Sequence, residues 1–136
     1  MASRLSPLPR NANVIGKTHW VIAEGYLPAL GPKPDEPALR SHETACILNT
    51  GPQDAEIELT LYFSDREPVG PYSIRVPAQR TLHLRFDDLQ TPEAVPRETD
   101  YASVFVSSVP VVIQHTRMDA RSGDRALMTT LAYGSD

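Results

Sequence analysis

Several features are scarce in this sequence, and each scarcity excludes a class of protein. One cysteine, Cys46, among 136 residues cannot form an internal disulfide, and its apolar neighbours indicate an inert, buried thiol. Thirteen Lys and Arg residues against 17 Asp and Glu give a formal net charge of −4, without the basic excess of a dedicated nucleic-acid-binding domain. No apolar run approaches the ~20 residues of a membrane-spanning helix. Residues 1–13 lack the apolar segment of a secretory signal, so we expect a cytoplasmic protein.

Motifs for catalysis and metal binding are also missing. There is no H-x-H or C-x-x-C spacing, no G-x-S-x-G and no glycine-rich phosphate loop. Ser41 and His42 are adjacent, but neighbouring side chains of a strand point to opposite faces and cannot form a nucleophile–base pair. Cys46 shares a face with His42 yet lies about 13 Å further along the strand. We therefore expect no enzymatic activity, no metal and no cofactor.

Proline is abundant, and its placement indicates the fold class. The 13 prolines fall between strand-like runs or at their ends, as in an all-β protein, because proline cannot donate to a sheet ladder. The clearest run is 55–63, where Ile57, Leu59, Leu61 and Phe63 alternate with polar residues or Tyr62. Together the runs predict an all-β, about eight-stranded β-sandwich, jelly-roll-like, with strands at 18–24, 42–49, 55–63, 72–76, 81–86, 101–106, 111–117 and 126–133. We expect one domain over 14–136, preceded by a disordered tail over 1–13.

Three of these runs, around Trp20, Val104 and Leu131, are apolar or small on both faces. A strand in a simple sandwich has one polar face turned to water. Another subunit covering the second apolar face would explain this pattern. The sequence therefore predicts a homo-oligomer.

Two runs are apolar at one end and polar at the other. Ser41-His42-Glu43-Thr44 leads into an apolar run that ends at Asn49, and Gln114-His115-Thr116-Arg117 follows residues 109–113. If the two runs are neighbours in one sheet, they build a polar pocket on an apolar base. Strand alternation places His42, Thr44, His115 and Arg117 on one side, and Glu43, Gln114 and Thr116 on the other.

The residues expected around a ligand have other interpretations. Trp20 suits the core, His42 and His115 could be half-buried structural histidines, and Glu43 with Arg117 could be an ion pair between strands. The connection 25–41, rich in proline and glycine, is long enough to be functional, and we expect it to cover the site and to become ordered when ligand binds. The candidate ligand-binding set is Trp20, Glu24, His42, Glu43, Thr44, His115 and Arg117.

Several segments form longer motifs: W-V-I-A-E-G-Y-L at 20–27, H-E-T-A-C-I-L-N at 42–49, Y-F-S-D-R-E-P-V-G-P-Y at 62–72, V-P-A-Q-R at 76–80 and Q-H-T-R-M-D-A-R at 114–121. Together these motifs resemble those of the sensory rhodopsin transducer family. It extends in order over about residues 16–133. The tail 1–13 is longer than the family pattern.

This resemblance implies a soluble β-sandwich that assembles as a homotetramer and works in signal transduction without catalysis. It implies a sugar-like small ligand, with Glu24, His42, Glu43, His115 and Arg117 at a ligand site or a subunit interface. One alternative is an adaptor for a membrane sensory rhodopsin that binds no small ligand. Another is a DNA-binding regulator, which would require Arg66, Arg75, Arg85 and Arg121 to gather on one face.

Overall fold

The structure is a computed structural model that describes residues 14–136; the predicted tail over 1–13 lies outside the described residues. The described chain contains eight strands and one 3-10 turn, Phe86–Asp88, and all strand pairs are antiparallel. The all-β, eight-stranded prediction is confirmed. The strands are β1 Lys17–Tyr26, β2 His42–Asn49, β3 Ala55–Phe63, β4 Val69–Val76, β5 Arg80–Arg85, β6 Asp100–Asp119, β7 Ala126–Leu131 and β8 Tyr133–Ser135.

Two predicted divisions between strands are wrong, and both occur where the chain changes strand partners. The predicted strands 101–106 and 111–117 form one 20-residue strand, β6, which continues through Pro110. Pro110 lies between Ser107, which pairs with β3, and Val112, which pairs with β2, so its missing N–H falls between two ladders. The predicted strand 126–133 is instead two strands, β7 and β8, separated by Ala132. The Ala132 N–H donates to the Ile113 carbonyl oxygen, and the chain then pairs with β1 as β8.

Strand β6 organises the sheet because it pairs with different neighbours along its two halves. Its first half lies in the order β4-β3-β6-β1-β8, and its second half pairs with β2 and β7, while β5 extends the sheet beyond β2. One hydrophobic core includes Leu59, Ile47 and residues from both halves of β6, Phe105 and Ile113. The two halves of the sheet therefore enclose a common core.

The connection 27–41 is fixed to the sheet by a buried carboxylate. Asp87, whose side chain is 5% exposed, accepts two bonds from Arg85, Nε at 3.0 Å and Nη2 at 2.7 Å. Arg40 and Arg97 approach the same carboxylate at 3.4 Å. Arg97 Nη1 also donates to the carbonyl oxygens of Pro28 and Ser41, at 2.8 and 3.0 Å. We call Arg40, Arg85, Asp87 and Arg97 the Asp87 cluster.

Replacing Asp87 by Asn should destabilise the protein and change its response to acid. Burial alone would raise the pKa of Asp87, but the Arg85 hydrogen bonds and the Arg85 and Arg97 charges hold it below its ordinary value. A depressed pKa contributes stability above the unfolded-state value, and this contribution is lost as pH falls through the folded-state value. We expect D87N to lose about 2–3 kcal/mol near neutral pH and to show a flatter loss of stability below about pH 4.

Urea denaturation across the acidic range measures both effects. The neighbouring Asp88 is exposed, so D88N is the matched control and should stay within about 0.5 kcal/mol of the parent. Equal stability of D87N and the parent at neutral pH would contradict the role given to this carboxylate.

Candidate functional site

The register between β2 and β6 brings the two polar-ended runs together. The strands are antiparallel neighbours, with Glu43 opposite Arg117 and Ala45 opposite His115, which confirms that the two runs share a sheet. Directly opposite residues project from the same face of a sheet. Glu43 therefore shares a face with His115 and Arg117, and the predicted grouping that separated it from them is wrong.

Glu43 lies at the centre of a buried ionic network. Its side chain is fully buried, and Oε2 receives His115 Nε2 at 2.6 Å and Arg117 Nε at 3.1 Å. Oε1 receives the Tyr26 backbone N–H at 2.8 Å and a short hydrogen bond from the Tyr101 hydroxyl. Four donors thus surround one carboxylate, which compensates for its removal from water. We call these five residues the Glu43 network.

The donors come from both ends of β6, which shows that this strand bends sharply. Tyr101 and Arg117 are 16 residues apart, about 53 Å in an extended strand, yet both bond to Glu43. Two side chains cannot span that separation, so the two halves of β6 must turn back toward each other. The buried carboxylate joins them where they meet.

A bulge in β1 shapes the other side of the Glu43 network. Ile22 pairs with Ser103 and Gly25 pairs with Tyr101, so β1 contains one extra residue between these pairs. A Cβ at position 25 would lie only 2.6 Å from the Tyr101 ring. Glycine therefore allows β1 to approach this ring closely, just before Tyr26 donates to Glu43.

Burial and the neighbouring carboxylate also determine the protonation of Tyr101. Burial raises the pKa of this phenol well above its ordinary value, and the negative charge of Glu43 raises it further. The hydroxyl therefore stays protonated and donates to Glu43. A neutral His115 imidazole that donates to Glu43 through Nε2 has Nδ1 as its acceptor nitrogen.

An open cavity of about 630 Å³ reaches His115 from outside the Glu43 network. Its lining consists of residues 21–24 of β1, His115 of β6, and residues 128 and 130–133 around the end of β7. Most of these side chains are apolar, while Glu24, His115 and Thr130 are polar. We call this space the β1–β7 cavity. One side chain, His115, thus belongs to both the cavity and the buried network.

Three of the predicted site residues lie together in the Glu43 network, and a fourth, Glu24, lies at the edge of this network. His115 and Arg117 both bond to Glu43, while Glu24, 87% exposed, lies 3.7 Å from Arg117 Nη1 and lines the cavity. The predicted alternative of a Glu43–Arg117 ion pair between strands is confirmed.

The other predicted residues lie elsewhere. Trp20 is buried in the core and donates from Nε1 to the carbonyl oxygens of Lys17 and Val111. His42 is half-buried, with Nδ1 2.8 Å from the Arg40 carbonyl oxygen. Thr44 pairs with Thr116 on the face opposite to Glu43.

Two network members were absent from the predicted set. Tyr101 lies at the start of β6, and Tyr26 contributes only its backbone N–H. The connection 27–41 does not line the β1–β7 cavity, so the expected cover is absent there. It borders a smaller cavity of about 220 Å³ together with residues 120, 123 and 125.

Metal-ligand clusters and membrane-spanning helices are both absent from the described part of the chain. Within residues 14–136, no three His, Cys, Asp or Glu side chains lie close enough together to hold a metal ion. Over the same part of the chain, none of the helices has the length and apolar character needed to cross a membrane.

Fold and site define a small antiparallel β protein in which a buried ionic network adjoins an open cavity. The sequence matches the family described as Anabaena sensory rhodopsin transducer over residues 15–134. The chain therefore belongs to the sensory rhodopsin transducer family, as its sequence motifs indicated.

Two solved structures are similar to this chain. The Anabaena sensory rhodopsin transducer is 59% identical, with 77% of this chain and 90% of that chain covered and a TM-score of 0.70. The crystal structure of Thermotoga maritima 1070 is 35% identical, with 88% and 96% covered and a TM-score of 0.79. No curated protein matches this chain.

Replacing Glu43 by Gln should strongly destabilise the fold. The amide keeps the size of the side chain but removes the charge that His115, Arg117 and Tyr101 share. Breaking a buried ion pair by removing one partner typically costs about 3–5 kcal/mol. Urea denaturation should show a loss of this size in E43Q. Exposed Glu58 on β3 supplies the control, E58Q, and similar losses in the two variants would contradict the assignment.

Proposed function

We propose that this protein is a non-enzymatic signal-transducing module that binds a small molecule in the β1–β7 cavity. The observation that carries the proposal is the position of His115, which lines the cavity and bonds to Glu43 at 2.6 Å. A ligand in the cavity would therefore contact a side chain of the buried network directly. Membership in a transducer family supports a signalling role.

The chemistry of the cavity favours a neutral, sugar-like ligand. A proton on His115 Nε2 leaves Nδ1 as an acceptor for a ligand hydroxyl. Glu24 adds a carboxylate and Thr130 a hydroxyl, while Ile22 and Leu131 provide apolar surface. Sugars present hydroxyl groups around an apolar ring face, which suits a site with few polar groups on a mostly apolar lining.

The Glu43 network provides a route from the cavity to distant parts of the fold. Displacement of His115 would alter a carboxylate that also bonds to Tyr26, at the end of β1, and Tyr101, in the other half of β6. The connection 27–41 begins immediately after Tyr26. Ligand binding would thus change both the packing of the two sheet halves and the start of this connection.

We further propose that the chain forms a homotetramer in the cytoplasm. Strand β7 pairs only with β6 among the described strands, and its side chains are exposed throughout. Leu127, Leu131 and Tyr133 are 71%, 61% and 71% exposed, which is unusual for side chains of this size clustered on one edge. A second copy packed on this edge would bury them and the unpaired side of β7.

Two other functions remain as alternatives. The exposed β7 edge would also suit an adaptor for a membrane sensory rhodopsin, a partner suggested by the name of the Anabaena relative. DNA binding has less support, because Arg66, Arg75, Arg85 and Arg121 each form an ion pair with a carboxylate. Such pairing reduces the positive charge available to phosphates.

Filling the cavity should abolish ligand binding. Ala23 is exposed on β1 and lines the cavity, so A23W would block it without removing a network bond. In a thermal-shift screen of monosaccharides and disaccharides, at least one compound should raise the melting temperature of the parent but not of A23W. Ala94, exposed in the loop before β6 and outside the lining, provides the control A94W. Absence of any shift, or equal shifts in A23W and the parent, would contradict the ligand proposal.

A charge on the exposed β7 edge should break the assembly. Leu127 does not line the cavity, so L127E places an uncompensated carboxylate in the proposed interface without changing a lining side chain. Light scattering after size exclusion should give a tetramer mass for the parent and a smaller mass for L127E. A glutamate introduced at an exposed loop position, in the variant Q53E, should leave the mass of the assembly unchanged. A monomeric parent at micromolar concentration would contradict the proposal.

A further inference from the structure

The Asp87 cluster contains more positive than negative charge. Arg40, Arg85 and Arg97 come from three different segments, and the ion pairs they form in the described chain all end on Asp87. Three guanidinium groups against one carboxylate leave a formal charge of +2. The three arginine side chains are 25%, 20% and 23% exposed, so part of each remains accessible from solvent.

Hydrogen bonding within the cluster is uneven. Arg85 makes short bonds to Asp87 and donates to the Pro37 carbonyl oxygen at 2.6 Å. Arg40 instead reaches Asp87 and the Pro34 carbonyl oxygen only at 3.4 Å, and its buried Nε has no hydrogen-bond partner among residues 14–136. A buried N–H of a charged group without an acceptor is uncommon in folded proteins. Arg40 can therefore exchange two weak acceptors for a stronger one.

The charges of the cluster also act on one another. Burial lowers the pKa of Arg97, Asp87 opposes this effect, and the nearby positive charges of Arg40 and Arg85 lower the pKa further. Arg97 is thus attracted by one carboxylate and repelled by two guanidinium groups. An added anion would relieve that repulsion.

We infer that the Asp87 cluster is a binding site for a phosphate-class dianion. The two negative charges of such an anion match the formal excess of +2. Its phosphate oxygens can accept pairs of N–H groups from the forked guanidinium groups. The residues of this site do not line the β1–β7 cavity, so anion binding here is independent of ligand binding in that cavity. Free phosphate and the phosphate of a small ester share this chemistry.

Occupation of this site would stabilise the connection 27–41. The three arginines already donate to carbonyl oxygens of Pro28, Pro34, Pro37 and Ser41 within or at the end of this segment. An anion that fixes the arginines would fix these contacts as well. The site would thus make the order of the connection depend on phosphate concentration.

Titration with inorganic phosphate at constant ionic strength, balanced with chloride, tests the inference. The melting temperature of the parent should rise saturably with phosphate. In R40Q the apparent Kd should increase by about tenfold or more, because a charged hydrogen-bonding partner is lost. R40K keeps the charge but not the forked guanidinium group, so its apparent Kd should lie between those of the parent and R40Q. Arg80 is exposed at the far end of β5, and in the described chain its side chain bonds only to the Gln79 carbonyl oxygen. It supplies the charge-matched control R80Q.

Several outcomes would overturn the inference: no saturable shift in the parent, an equal shift with chloride, or equal weakening in R80Q and R40Q. A parallel titration with adenosine monophosphate separates the two sources of the phosphate group. Tighter binding of the ester than of inorganic phosphate, lost in R40Q, would identify a phosphate ester as the ligand. If R40Q does not fold, the apparent Kd values of R40K and R80Q for phosphate decide the result: weaker binding in R40K than in R80Q supports the site, and equal binding overturns it.

Discussion

The carboxylate of Glu43 is the group on which the rest of the structure depends. Removing a carboxylate from water is costly unless donors replace its hydration. Here the donors come from the end of β1 and from both halves of β6. The bend of β6, the bulge in β1 and the placement of β2 must all be formed before this carboxylate is fully compensated. One charge thus requires several distant elements to reach their positions together.

The alternation of side chains was enough to predict most of the fold. Ile57, Leu59 and Leu61 are buried in β3 while Glu56 and Glu58 are exposed, as a half-buried strand requires. Fold class follows from such local patterns, whereas the strand number agrees because one merged pair of strands offsets one divided strand. The continuity of β6 does not follow from local patterns, because a proline usually ends a strand. Pro110 is tolerated only because β6 changes partners there, which is a property of the sheet and not of the local sequence.

The site was only partly predictable for the same reason. Unusual polar residues in strand-like runs pointed to Glu43, His115 and Arg117. Their shared face depends on register, which a single strand does not reveal. Tyr101 and the Tyr26 N–H depend on the bend of β6 and the bulge of β1, two long-range features. Trp20 and Thr44 had suitable chemistry, but packing placed Trp20 in the core and alternation turned Thr44 to the opposite face.

The continuity of β6 also limits how the molecule can open. Proteins commonly unfold in parts, with one group of strands separating while another remains intact. In this chain both groups hydrogen-bond to the same strand, with β3 and β1 along its first half and β2 and β7 along its second. Release of either half exposes a shared core and a shared carboxylate. The two groups of strands should therefore act as one cooperative unit, with only the outer strands free to fray.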